Sequence, residues 1–281
     1  MSSALPVGPG PIGVFDSGYG GLTILEGIRR RMPQYDYVYL GDNARAPYGP
    51  RSFDVVYEYT RQAVIRLFEL GCHLVILGCN TASAKALRSI QQNDLPHIDP
   101  DRRVLGIIIP TAEVVGQLTR TRHVGILATD GTIRSQSYEI EIAKRYPDIQ
   151  VTGMACPMWV PLVENNEVNT PGADYFVRKD IEKMMEKDRS IDTIILGCTH
   201  YPILLHMIGK HLKPGVRAVC QGDYVAESLF SYLQRHPEME ERCSKGSHMR
   251  YLTTESAEKF SERARLFLRE HVCAEHVDLG G

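Results

Sequence analysis

Two copies of one short pattern constrain this chain more than anything else in it. His73-Leu-Val-Ile-Leu-Gly-Cys79 is matched by Asp192-Thr-Ile-Ile-Leu-Gly-Cys198, displaced by 198 − 79 = 119 residues. A second echo sets Ile12-Gly-Val-Phe against Val124-Gly-Ile-Leu, displaced by 124 − 12 = 112 residues. Continuous apolar runs rich in β-branched side chains suit strands buried on both faces, as in parallel sheets covered by helices. The echoes predict two halves that repeat one α/β plan and face each other. The spacing is too long for a solenoid, whose repeats span about 20–50 residues. That buried parallel strands resemble one another anyway is the alternative.

Further runs at Tyr37 to Leu40, Val104 to Ile109 and Arg217 to Val219 alternate with helical stretches, the signature of parallel sheets flanked by helices. Phe53 to Leu70 places Val56, Ala63, Val64, Leu67 and Phe68 at helical spacing, as a helix lying on a sheet would. With 281 residues, 43% of them hydrophobic, the chain has the size at which one core divides into two. The expected fold is α/β, with two pseudo-symmetric domains, largely parallel sheets and an active site in the cleft between them.

Lys and Arg number 32 against 34 Asp and Glu, a net charge of −2, so the chain as a whole carries no basic footprint for nucleic acid. Met1 to Pro11 has neither the basic start nor the apolar stretch of a secretory signal and reads as a loose extension. The strongest apolar runs fall well short of the roughly 20 residues that span a bilayer, so a soluble protein is expected. Seven cysteines without a CxxC pair suit reduced thiols in a cytoplasm better than a disulfide framework.

In open α/β sheets, ligands bind beyond the carboxyl ends of the strands, where both Leu-Gly-Cys segments put their sulfur. A helix opening is expected after each, at Asn80-Thr-Ala-Ser and at Thr199-His-Tyr-Pro202, and a helix N-terminus or a nearby cation favours a thiolate. Cys72, Cys156, Cys220, Cys243 and Cys273 read as small structural hydrophobes. Inverting a carbon centre through a carbanion takes a base on one face and an acid on the other, and reversal exchanges their roles. Two groups of the same kind on apposed domains meet that need.

Phe15-Asp-Ser-Gly-Tyr-Gly-Gly21, Pro47-Tyr-Gly49, Gly78-Cys-Asn-Thr-Ala-Ser83 and Gly197-Cys-Thr-His-Tyr-Pro202 resemble, in order and spacing, the signature segments of the glutamate racemases. The resemblance runs from about residue 12 to about residue 270. It implies interconversion of L- and D-glutamate without pyridoxal phosphate or metal, supplying D-glutamate for peptidoglycan precursors. It assigns Cys198 to L-glutamate and Cys79 to D-glutamate, with His200 and Asp16 assisting them respectively. Substrate contacts carried over are Asp16, Ser17, Tyr48, Gly49, Asn80, Thr81, Thr199 and His200. Helix capping by Asp16, Ser17, Asn80, Thr81 and Thr199 is the competing reading of those residues. An Asp near a thiolate raises its pKa, so Asp16 is expected to handle protons or hold the substrate ammonium. Residues 1–111 with 214–281 are expected to form one domain and 112–213 the other.

Glu164 falls where the family often has another carboxylate near the second thiol, although its Asn- and Glu-rich surroundings favour a solvated loop acid. Thr129 and Thr132 resemble a Gly-Thr-x-x-Thr loop that contributes hydroxyls at the domain interface. Asn43, where Thr is common in the family, and Ile109, before Pro110, depart from the pattern. Arg235 to His248 carries no functional reading, and Gly246-Ser-His-Met249 looks like a cloning remnant whose internal position makes coincidence the better explanation. The expected partner is a small molecule, glutamate, with no nucleic acid or membrane; a homodimer is left open. The alternatives are racemisation of aspartate or another acidic amino acid, a metal site from Cys79, Cys198, His200 and Asp16, a nucleotide loop at Gly18 to Gly21, and a pyridoxal phosphate enzyme using Lys85.

Overall fold

The computed structural model describes residues 5–280. Ten strands are present among them: β1 (Ile12–Asp16), β2 (Tyr37–Gly41), β3 (Leu74–Leu77), β4 (Arg103–Gly106), β5 (His123–Ala128), β6 (Gln150–Ala155), β7 (Thr193–Gly197), β8 (Arg217–Val219), β9 (Met249–Thr253) and β10 (Ala274–His276). They form a six-stranded sheet in the order β10-β9-β2-β1-β3-β4 and a four-stranded sheet in the order β6-β5-β7-β8. Every pairing is parallel. The series β2-β1-β3-β4 and β6-β5-β7-β8 follow the same connection rule, with β1 equivalent to β5 and β3 to β7. Those are the segments that echo each other in the sequence.

Alternation along the strands builds the layers, because successive side chains leave a strand on opposite faces. Ile12, Val14, Leu74 and Ile76 enter a large core that also takes in Trp159, Ile194 and Leu196 of the second half. Phe15, Val75 and Leu77 face the other way. There they meet the helix Phe53–Glu69, which is capped by Ser52 and buries Val56, Ala63, Val64, Leu67 and Phe68 as its spacing predicts. Each such Val, Leu or Phe contributes about 1.5–3 kcal/mol when buried. No helix among the described residues is long and apolar enough to cross a membrane.

Several expectations change at the edges. The run Val104 to Ile109 is strand only to Gly106, then turns into the helix Ile108–Leu118; Ser83 Oγ accepts from Ile107 N at 3.3 Å and so stops the ladder. Strands β6, β9 and β10 add to the expected set. β8 pairs with β7, so by sheet membership the chain returns to the larger sheet after Val219, later than the expected boundary at 213/214. The described part of the N-terminal extension is strapped down, not loose. Arg102, fully buried, donates to Pro6 O at 2.7 Å, His73 Nε2 lies 2.8 Å from Gly8 O, and Gly10 bridges to Cys243. Residues 1–4 of that extension lie outside the described residues. Met249 opens β9 opposite Tyr37, and His248 N donates to Asp36 Oδ1 at 2.8 Å, so Gly246 to Met249 is part of the fold. Of the cysteines read as buried hydrophobes, Cys273 is exposed and Cys220 partly so.

Candidate active site

A cavity of about 240 Å³ opens between the carboxyl ends of the two sheets. It is smaller than the roughly 300–1,000 Å³ typical of pockets for drug-sized ligands, a size for a small metabolite. Loops after β1 and β3 bring Ser17, Cys79, Asn80 and Thr81; loops after β5 and β7 bring Thr129, Cys198, Thr199 and His200; Tyr48, Gly49 and Glu164 complete the expected set. Asp16 and Thr132 stand behind this wall, fully or nearly fully buried. Asp16 accepts from Gly18 N at 2.8 Å and from Thr199 Oγ1 at 3.2 Å, so it reaches the cavity through Thr199. Thr132 meets Thr81 and Thr129 in a cluster of three hydroxyls at 3.0–3.4 Å, joining the two halves.

The two thiols sit in unlike surroundings. Cys79 caps the short helix Asn80–Lys85; its sulfur accepts from Ala82 N and its S–H donates to Ser17 Oγ, each at 3.5 Å. Burial and the neighbouring Asp16 nevertheless push this thiol up to about 12, over the opposing pull of Ser17 and Ala82. Burial also lifts Asp16 itself above the usual carboxylate range, against the pull of His200.

Cys198 is followed by the expected helix opening, whose first turn, Tyr201–Leu204 with Pro202 in it, is 3₁₀ and continues into the α-helix Leu205–His211. The cation there is a side chain: His200 Nδ1 lies 3.9 Å from Cys198 Sγ, and its Nε2 lies 3.0 Å from Glu164 Oε1. Burial disfavours a charged imidazole, yet hydrogen bonds and charge from Cys198 and Glu164 overcome it and raise His200 to about 10. These shifts favour the protonated form of Cys79 and set a cationic imidazole beside the Cys198 sulfur. Glu164 is no solvated loop acid: it lines the cavity and orients this ring, while Arg263 donates to its main-chain oxygen at 2.8 Å.

The glycine-rich turn after β1 packs against this cluster. A Cβ on Gly20 would come within 2.3 Å of Thr199 Oγ1 and 2.5 Å of His200 Nδ1, so the close approach itself demands glycine there. Neither Asp16 nor Ser17 caps the helix Leu22–Arg31, and Cys79, not Asn80 or Thr81, caps the helix after β3.

Several residues of the site lie beyond the expected set. Asp42, fully buried, accepts from Tyr48 Oη, from Arg45 Nε at 2.7 Å and from Thr254 Oγ1 at 2.9 Å. It thereby fixes the Tyr48–Gly49 loop. Its place just past the end of β2 was the available signal. Cys156 lines the cavity instead of the core alone, and its place after β6, an edge strand interrupted by Gly153, hid it. Asn80 is gripped by Gln221 and Tyr138, for which no local pattern exists. Asn43 Oδ1 accepts from Thr253 Oγ1 at 3.0 Å and ties a loop to β9, while Ile109 lies on an exposed helix turn. Neither departure from the pattern lines the cavity.

Comparison with known proteins agrees with this architecture. A model of the Asp/Glu/hydantoin racemase family matches residues 22–229. The glutamate racemase of Roseobacter denitrificans is 40% identical over 271 residues, covering 93% of this chain and 97% of its own. A glutamate racemase isoform from Bacillus anthracis superposes with a TM-score of 0.87 at 32% identity, covering 96% of this chain and 98% of that one. The Francisella tularensis glutamate racemase, solved in complex with D-glutamate, gives 0.85 at 31% identity with the same coverage. With two like halves closing on one cavity, and similarity of this extent, the chain belongs to the Asp/Glu/hydantoin racemase family, on its glutamate racemase branch.

Proposed function

We propose that this protein interconverts L- and D-glutamate by moving the Cα proton between two thiols, one on each face of the substrate. The observation that carries the proposal is the placement of Cys79 and Cys198 after equivalent strands, β3 and β7, on one cavity. From L-glutamate, a thiolate at Cys198 takes the Cα proton and becomes a thiol, leaving a carbanion. The Cys79 thiol delivers its proton to the opposite face and becomes the thiolate, and D-glutamate leaves. From D-glutamate the same steps run backwards, and exchange with solvent resets the thiols. The pushed-up Cys79 and the cationic His200 prepare the starting state for the first direction.

His200, oriented by Glu164, is the charge partner of Cys198, and Asp16 acts on the Cys79 side through its raised affinity for a proton. The side chains of Ser17, Asn80 and Thr81, with loop N–H groups at Tyr48, Gly49 and Thr199, supply donors for the carboxylates. Thr129 and Thr132 hold Thr81 across the interface. Such preorganised donors stabilise negative charge developing at the α-carbon. The proposal extends to supply of D-glutamate for peptidoglycan, to the cytoplasm as the place of action and to a homodimer, for which sedimentation velocity is the readout.

Incubation of the purified protein with L-glutamate in deuterated water, without added cofactor, tests the reading. It predicts loss of optical rotation with one solvent deuterium at Cα per turnover. Turnover of L-aspartate with glutamate untouched would keep the chemistry and reject the substrate, and no reaction with either would reject both.

A further inference from the structure

Where the chain crosses between the two sheets, three buried side chains close a ring. Gln221 Nε2 donates to Tyr138 Oη at 2.7 Å, Tyr138 Oη donates to Asn80 Oδ1 at 2.6 Å, and Asn80 Nδ2 donates back to Gln221 Oε1 at 2.7 Å. None of the three is more than 2% exposed. The donors run one way round the ring, and because Gln221 Nε2 also faces the main-chain oxygen of Ile107 at 3.2 Å, which only accepts, the concerted flip of both amides that would reverse the ring is excluded. Flipping Asn80 would set its oxygen against that of Gln221, and flipping Gln221 would set N–H against N–H.

The ring joins parts of the chain that the fold otherwise keeps apart. Gln221 follows β8 and precedes the helix Gly222–Arg235, on the return crossing. Its Nε2 also reaches Thr111 Oγ1 at 2.9 Å and Ile107 O at 3.2 Å, both at the start of the outgoing crossing. Tyr138 belongs to the smaller half, and Asn80 opens the helix next to Cys79. One carboxamide thus pins both crossings to the residue beside a thiol. A buried network satisfied at every atom holds its geometry, and one left half-satisfied does not.

Asn80 lines the cavity. With Oδ1 taken by Tyr138 and one Nδ2 hydrogen taken by Gln221, its side chain has one N–H donor left. An amide N–H of this kind suits a substrate carboxylate. We propose that Gln221 is a positioning residue for substrate binding, holding Asn80 as a donor toward a carboxylate of the bound amino acid. The proposal rests on the glutamate reading above.

The test is steady-state racemisation of glutamate by the full chain with Gln221→Leu, Asn80→Ala and the double variant, alongside thermal unfolding of each. Gln221→Leu is expected to raise KM by about ten- to a hundredfold, the loss of one hydrogen bond to a charged group, with a smaller change in kcat. In the Asn80→Ala background the same substitution should change KM less than about twofold, because the group it positions is gone. Gln221→Glu, which keeps size and the acceptor for Asn80 but cannot donate to Tyr138, should raise KM likewise and serves if the Leu variant fails to fold. KM unchanged in a folded Gln221 variant overturns the inference. So does an equal KM penalty with and without Asn80, since the residue would then act through the fold alone. A wild-type protein that leaves glutamate untouched is a different result, and rejects the function reading instead.

Discussion

Replacing Glu164 by Gln keeps the size of the group that touches His200 Nε2 at 3.0 Å and removes its charge. His200 is raised from 6.5 to about 10 despite full burial, a stabilisation of the imidazolium on the order of 5 kcal/mol. Two neighbours supply it, Cys198 and Glu164. Because the same neighbours must also offset the burial penalty, a carboxylate that supplies about half of their effect accounts for more than half of the net shift, and Glu164→Gln lowers His200 by about 2 pH units or more. Because enantiomers have equal free energy, kcat/KM must match in the two directions at every pH, so one profile reports the perturbation for both. The alkaline limb of kcat/KM set by loss of the His200 proton should lie near pH 10 in the wild type. In the variant it should shift downward by about 2 pH units or more. A ¹³C-labelled His200 followed by NMR gives the same number without turnover. A limb and a resonance that both stay within about 0.3 pH unit of the wild type, an error margin well inside the expected shift, would refute the claim that Glu164 sustains the cation.

Gly20→Ala drives a methyl group to within 2.3 Å of Thr199 Oγ1; kcat/KM should fall by at least about a hundredfold and unfolding free energy by about 1–3 kcal/mol in denaturant titrations. The pH dependence of stability follows from His200: its folded-state value is raised, so its contribution is complete below pH 6.5 and lost as pH rises toward about 10. The unfolding free energy should therefore fall across that window by a few kcal/mol more in the wild type than in His200→Asn, and parallel slopes would count against it. Tyr48→Phe removes one donor from the buried Asp42, and a stability loss of about 1–3 kcal/mol with a raised KM is expected. Cys156→Ala, although it alters a cavity wall, should keep kcat within about fivefold because that sulfur takes no part in proton transfer.

The repeated Leu-Gly-Cys made the site legible because position in a parallel sheet is periodic and local. A buried strand announces itself in four or five apolar residues, and its carboxyl end dictates where the next side chain points. Cys79, Cys198, Thr199 and His200 could be placed on that basis, and their neighbours by resemblance to a family. β6 was hidden because Gln150, Thr152 and Gly153 break its apolar run, as an edge strand in contact with solvent allows. β9 was hidden for another reason: Arg250 interrupts Met249-Arg-Tyr-Leu-Thr253, and its charge meets Glu275 of β10 at 2.8 Å. The Asn80–Tyr138–Gln221 ring joins residues 58 and 141 positions from Asn80, and no sequence period relates them. Glu164 shows the same limit, since its loop composition says solvent while a ring 36 residues away makes it part of the site.

If each thiol serves one face of the α-carbon, hydrogen exchange confined to one enantiomer will show it. Cys79→Ser and Cys198→Ser are each incubated in deuterated water with L-glutamate and, separately, with D-glutamate, and Cα deuterium is read by NMR with the enantiomers resolved. Cys79→Ser should still exchange the Cα hydrogen of L-glutamate and Cys198→Ser that of D-glutamate, while racemisation falls by several orders of magnitude in both. Exchange of both enantiomers by one variant, or racemisation that survives either substitution, would contradict the assignment of one thiol to each face.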